Sequence, residues 1–454
     1  MPFLSIRFFI LIITVLILLQ FIHNKTAERM ILLASSYLFY ACFDLRMLAV
    51  LTGLSMFTWF GGYLMNRAGS SGNAVLAKYI CIACITVQTA VLMFFKFSGL
   101  LPMPVGLSFY MLQAISFLAD NYRGQIGEFP SLLDSLVYIG FFPQIVSGPI
   151  VKARDFIPQL SERRKLNTER LSHGIQLFVL GAFMKLVMAD RLAVSVDSVY
   201  SAPHAYSGLS LFFASVGYSL QLLFDFAGYS SMAIGVAWLL GYDLGKNFNL
   251  PYLAKDPSDF WRRWHISLST WLRDYVYIPL GGSRKGKVRT YINILLTMTI
   301  SGLWHGSTVN FLIWGALHGL WQVIHKAFGD IRTASGKSIG GKAGTKSISI
   351  IISFLIVNFL WIPFRAATLS DTWTIVYRII TFKPGISYYY TYTFIFGGIL
   401  LAAQFIAVHF NNGNDPWRPL PLDKLFGKVI FCCILIAMAM FAYFGNGAFI
   451  YAQF

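Results

Sequence analysis

His265 and His305 are the side chains best suited to moving a proton. Each sits in an unusual run: WRRWHISLSTWLRDY from Trp261 to Tyr275, and SGLWHG from Ser301 to Gly306. A neutral imidazole near pH 7 can take a proton from a hydroxyl, and a positioned base of this kind contributes about 10²–10⁴ in rate. No cysteine nucleophile, glycine-rich phosphate loop or metal-ligand spacing accompanies them, so general-base chemistry is expected, without a metal or bound cofactor. Gly302 and Gly306 flank His305 and would let backbone or substrate approach it closely. His265 could orient or assist. Spacing alone does not bring the two together, because forty residues and a turn lie between them.

Around the histidines stand the candidate substrate contacts Trp261, Arg262, Arg263, Trp264, Trp271 and Trp304. Asp259, Arg262, Arg263, Arg273 and Asp274 in the same stretch would together cost on the order of 15 kcal/mol if they faced lipid, at roughly 2.5–3.5 kcal/mol per charge. They must therefore line a cavity within the protein or lie near the membrane interface. The positioning element is expected to be one helix. Asp256 can cap it, Pro257 suits its first position, and Asp259 complements its N-terminus. Trp261, Trp264, His265, Leu268, Leu272 and Tyr275 follow a helical spacing, and Pro279 and Gly281–Gly282 end the run. Sixteen residues of a second helix from Arg289 would carry the chain roughly 24 Å to a deep His305.

Upstream, Asn249 belongs to an ordered loop with Asn247 and Pro251. Asp225 interrupts an apolar segment, where an acid is a functional candidate by default. Gly228, Ser230, Ser231 and Gly235 equally suit close helix packing, so Asp225 could instead bind a neighbouring helix. His318 and His325 are read as packing or interfacial residues.

The scaffold that must carry these groups is a membrane one. Of 454 residues 56% are hydrophobic and only 12% charged, against about a quarter charged in ordinary soluble proteins. Apolar runs recur from Phe3–Ile22 to Val429–Phe444. Ile31–Phe43, Val105–Leu118 and Ser231–Leu240 could be short, tilted or re-entrant. The expected fold is all-α and polytopic, a single domain over residues 1–454 with roughly 11–14 transmembrane or re-entrant helices around a central funnel or tunnel. Pro, Gly, Gln and Ser crowd the stretch from Pro102 to Leu160, which predicts broken helices there.

The net charge of +17 resides in loops: Lys152, Arg154, Arg163, Arg164, Lys165 and Arg170; Arg284, Lys285, Lys287 and Arg289; Arg332, Lys337, Lys342 and Lys346. These are positive-inside topology signals, not a nucleic-acid surface. They place the loops, including a flexible basic one at 329–346, in the cytoplasm and both termini outside. The first apolar run lacks a small-residue cleavage site and is read as a retained span. The five cysteines fall in apolar segments, where core packing is the default.

DPSDFWRRWHISLSTWLRDYVYIPLGG followed by SGLWHG strongly resembles the membrane-bound O-acyltransferase family, and YIPLGGSR is most similar to its bacterial alginate O-acetyltransferase branch. The resemblance runs from about Pro104 to His325. It implies a cytoplasmic acyl donor, acetyl-CoA for acetyl transfer, and an acceptor hydroxyl reached from the other side. It also implies a catalytic His305, a second motif histidine at His265, and an extracellular or periplasmic SGNH-type, serine-esterase-like partner transferase. The tail, residues 446–454, ends in FIYAQF. That ending is similar to the Phe-x-Tyr-x-x-Phe terminus of the small partner protein in lipoteichoic acid D-alanylation, which would make Tyr451 an acyl carrier; an aromatic anchor at the interface is the other reading. The expected function is O-acetylation of a cell-surface polysaccharide, with peptidoglycan O-acetylation or D-alanyl transfer to teichoic acid as alternatives. A transporter or lipid flippase fits composition alone but lacks a visible inverted repeat. A non-catalytic scaffold for a surface transferase is the remaining class.

Overall fold

The computed structural model describes residues 3–162, 167–334, 343–388, 390–410 and 420–444, without the side chains of 332–334, 343–346 and 407–410. Tyr451 and the tail, with Lys337 and Lys342 of the basic loop, lie outside the described residues. Among the described residues every regular element is helical, apart from one isolated parallel bridge between Tyr206 and Ile386. The chain is an all-α, multi-pass membrane protein. Leu45–Ser70, Ala74–Phe97, Gly208–Leu240 and Ser347–Arg365 are long and apolar enough to cross a bilayer. Only 28% and 22% of the apolar stretches of the first two are buried, against 78% for Gly208–Leu240.

Local chemistry explains where many helices start. Ser5, Asn24, Asp44, Asn73 and Ser131 each accept a first-turn N–H with the side chain, opening Ile6–Phe21, Lys25–Ala41, Leu45–Ser70, Ala74–Phe97 and Leu132–Gly140. Each such cap is worth about 1 kcal/mol.

The described chain divides into two compact units. The first comprises residues 1–182 and 229–245. It contains the broken region predicted from composition. Leu132–Gly140 gives way to buried turns and resumes as helix at Ala153–Ser161. The irregular backbone there is satisfied internally: Tyr138 donates its hydroxyl to the Val151 carbonyl at 2.9 Å, and Gln144 donates to the Tyr138 carbonyl at 2.9 Å. Gly106, at φ +73°, lies so close to the Ile145 carbonyl that any Cβ would collide with it.

The second unit comprises residues 183–228 and 246–454. The apolar runs Leu209–Phe226 and Ser231–Leu240, expected as separate segments, form one helix, Gly208–Leu240, whose residues to 228 belong to this unit. Gly228 and the paired serines do not interrupt it, since without proline the backbone bonds continue. Asn358, on the Ala343–Arg365 helix, ties that helix to this one: its side chain accepts from Ser219 at 2.7 Å and donates to Ser215 at 2.8 Å. Lys287–His305 and Val309–Ala334 form a tight helical hairpin. A Cβ on Gly302 would strike the Phe311 carbonyl, and one on Gly315 the Met298 carbonyl, so glycine allows the two backbones to touch.

Candidate active site

The expected single helix from Asp256 to Tyr275 is instead broken at its histidine. Asp256 caps Pro257–Arg263 through the Asp259 N–H at 2.8 Å, as its sequence position implies. The helix stops at Trp264, His265 takes a left-handed conformation with φ 43° and ψ 56°, and Ile266–Leu272 begins afresh before a π turn at Arg273–Tyr277. The loop at 247–249 supplies partners for the opened backbone: Ile266 N–H donates to the Asn247 carbonyl at 2.9 Å, and Asn249 N–H to the Arg263 carbonyl at 2.9 Å. A non-glycine residue in this conformation is strained, and such strain concentrates at functional positions.

Asn247 also sets the chemistry of His265. Its Oδ1 accepts from the Ser267 N–H at 3.3 Å and the Ser267 hydroxyl at 2.9 Å, and lies 3.1 Å from His265 Nδ1. An amide oxygen only accepts, so Nδ1 carries the ring hydrogen and Nε2 the basic lone pair. Phe226 stands edge-on to the ring at 4.6 Å. His265 lies outside every candidate span, and burial pushes its imidazole down to about 3. It is neutral at physiological pH.

His305 is held differently. It is the last residue of the Lys287–His305 helix, only 1% exposed, and its ring stands edge-on to Trp314 at 5.0 Å, with Trp304 at 4.8 Å and Phe364 at 5.4 Å. The close approach expected at its flanking glycines is real, but the group that approaches is the protein's own Phe311: its ring fills the space beside Gly306 and its carbonyl the space beside Gly302. Trp304 is also 6.3 Å from the His265 ring. The two histidines thus lie on one indole, which spacing alone could not establish.

The other expected contacts separate into groups. Trp261 faces this cluster, 5.9 Å from Trp314. Trp264 is 1% exposed and packed against Phe248, Tyr252, Phe260 and Trp361. Trp271 pairs with Tyr275 at 5.1 Å. Arg263 binds Asp259 at 2.8 Å and the Asn249 carbonyl at 3.3 Å, bracing the break, whereas Arg262 is largely exposed. Asp225 is engaged by Lys185, whose ammonium lies 2.7 Å from both Asp225 and Asp190 within a π turn at Met184–Ala189.

Two residues to which sequence reasoning assigned no part in the site stand beside it. Asn247 acts across eighteen residues, and nothing in the local pattern marks it. His318, taken as a packing residue, is fully buried 4.9 Å from the Trp314 ring that also touches His305. Its place four residues after Trp314, on the same helical face, was the available signal.

Comparison with known proteins identifies the family. Residues 100–336 match the model of MBOAT, the membrane-bound O-acyltransferase family. A probable alginate O-acetylase AlgI of Pseudomonas fluorescens is 35% identical over 376 residues, covering 81% of this chain and 73% of that protein. A peptidoglycan O-acetyltransferase of Helicobacter pylori is 32% identical, covering 78% and 74% respectively. A teichoic acid D-alanyltransferase of Bacillus subtilis is 29% identical, over 56% and 67%. The chain belongs to the membrane-bound O-acyltransferase family and is an acyl-transferring enzyme of the membrane.

Proposed function

We propose that this enzyme takes an acetyl group from cytoplasmic acetyl-CoA and passes it across the membrane for O-acetylation of a cell-surface polysaccharide. The observation that carries the reading is that His305 and His265, both buried, each neighbour the Trp304 indole, in a chain whose relatives are named for O-acetylation. His305 accepts the proton of the attacking hydroxyl as its oxygen bonds to the thioester carbonyl carbon. The tetrahedral adduct then collapses, the carbon–sulfur bond breaks, and the proton passes to the departing thiolate. His265, neutral and oriented by Asn247, presents Nε2 as a second hydrogen-bonding nitrogen. The surrounding indoles and Phe364 exclude water that would otherwise hydrolyse the thioester.

In this reading the first acceptor is Tyr451 in the FIYAQF ending, with both termini outside the cell. A phenol is acidic enough, at an ordinary pKa near 10, to be activated by histidine more readily than a sugar hydroxyl. The acetylated tyrosine then serves an extracytoplasmic SGNH-type transferase that acts on the polymer. The alginate and peptidoglycan acetylases among the relatives favour acetyl over D-alanyl transfer, since each covers more of this chain than the D-alanyltransferase does.

Purified full-length protein incubated with radiolabelled acetyl-CoA tests the reading through label retained after denaturation. Wild type is expected to label, and His305→Ala and Tyr451→Phe to remain unlabelled. Normal labelling of Tyr451→Phe would overturn the relay. Normal surface acetylation in cells carrying His305→Ala would overturn the catalytic role and leave a scaffold, and solute uptake without acyl transfer would support a transporter.

A further inference from the structure

His318 has no role in the mechanism above, yet its setting differs from that of an ordinary core histidine. It is fully buried, and among the described residues neither ring nitrogen has a hydrogen-bond partner. Its neighbours are rings: Trp314 at 4.9 Å, Trp261 at 5.1 Å, and Phe260, Trp321 and Trp361 at about 6 Å. The buried indole N–H groups of Trp261 and Trp314 also lack partners. Trp314 stands between His318 and His305, touching both. A folded protein pairs nearly all of its buried polar groups, so unsatisfied donors and acceptors gathered beside a catalytic residue point to a ligand that satisfies them.

The chemistry of these unpaired groups specifies that ligand. A neutral imidazole offers one N–H donor and one acceptor nitrogen, the complement of the C=O and N–H of a secondary amide. The indole N–H groups add donors for a further carbonyl. Stacked and edge-on aromatic walls suit an uncharged, flexible chain. The thioester arm common to coenzyme A and to acyl carrier proteins has this constitution, with its first secondary amide two methylenes from the sulfur.

We propose that His318 is a donor-positioning residue, which hydrogen-bonds the amide of the acyl donor's thioester arm and so holds the thioester carbonyl against His305. This rests on the thioester-donor reading above and adds to it a specificity for the amide. Discrimination arises because a donor without that amide leaves the imidazole unpaired.

The test compares two acetyl donors on purified full-length protein, the acetyl thioester of N-acetylcysteamine and an acetyl alkyl thioester of equal length in which methylenes replace the amide. Wild type is expected to favour the amide-bearing donor by about tenfold or more in kcat/KM. His318→Phe is expected to bring that ratio towards one, mainly through KM. His318→Gln, which retains a donor and an acceptor, is expected to restore part of it. A wild-type ratio near one overturns the proposal whatever the variants do. Equal losses for both donors in His318→Phe and His318→Gln overturn it in favour of a purely structural histidine. Failure of wild type to use any thioester, acetyl-CoA included, removes the donor reading itself.

Discussion

His265 and His305 are flanked alike in sequence, each directly following a tryptophan, but the fold holds them by opposite means. His265 sits on a strained break and is fixed through polar bonds: Asn247 selects its tautomer, and Ser267 shares the same oxygen. His305 ends an uninterrupted helix and is fixed by ring faces and edges. The first arrangement determines which nitrogen carries the proton. The second encloses the imidazole among Trp304, Trp314 and Phe364. The two histidines that touch one indole therefore differ: one is oriented by an amide, the other, proposed as the base, is enclosed by aromatic rings.

The sharpest way to break this comparison is to remove the base. His305→Ala is expected to lower acyl transfer by about 10²–10⁴, measured as acetyl-CoA turnover on purified protein. A comparable or larger loss in His265→Ala, with His305→Ala active, would reverse the assignments. Loosening the cage is next in size. Phe364→Ala should destabilise the fold by about 3–5 kcal/mol, because a buried ring touching Phe311, Trp314 and Trp361 leaves a cavity. The thermal midpoint checks this, and an unchanged midpoint would mean that the cage is not what holds His305.

Asn247→Ala acts at the other histidine, and also removes the acceptor of the Ser267 N–H and hydroxyl. Loss of the tautomer-setting bond is expected to cost about 10²-fold in turnover with little change in KM for the donor, since only a small misplacement of the ring is needed. Acid stability offers a subtler distinction. Because burial lowers His265 to about 3 from 6.5, the unfolded chain binds a proton that the folded chain does not as pH falls through that interval. The folded state therefore loses stability progressively as pH falls below 6.5, and His265→Gln should shallow that loss in melts recorded from pH 7 to 4. The smallest expected effect is at Arg262, whose side chain is 71% exposed: Arg262→Ala should change stability by less than about 0.5 kcal/mol, whereas Arg263→Ala, which removes a brace of the break, should lower activity with Asn247→Ala.

Much of this molecule is set by rules that operate within a few residues. Low charge and recurring apolar runs require an all-helical membrane chain, because only internally bonded backbone or closed barrels survive in lipid. The Asp256–Pro257–Asp259 start is visible for the same reason, as is the basic loop followed by a helix long enough to end at His305. The family itself is legible in the tryptophan-arginine-histidine motif. The irregular backbone after Gly140 is foreshadowed by its proline and glycine content.

What only the tertiary structure decided depends on groups distant in sequence. The apolar spacing of Trp261 to Tyr275 continues in helical period across a break that no local residue announces, because the partner that stabilises the break is Asn247. The space beside Gly302 and Gly306 belongs to Phe311, a consequence of the tight hairpin. The Lys185 ammonium against Asp225 could not be read from the apolar run around it. His318 is ordinary in composition and becomes distinctive only when Trp261 and Trp314 are folded around it. Periodicity and capping are backbone energetics over one or two turns; which polar atom meets which, and which is left unmet, is settled by packing among segments that the sequence keeps apart.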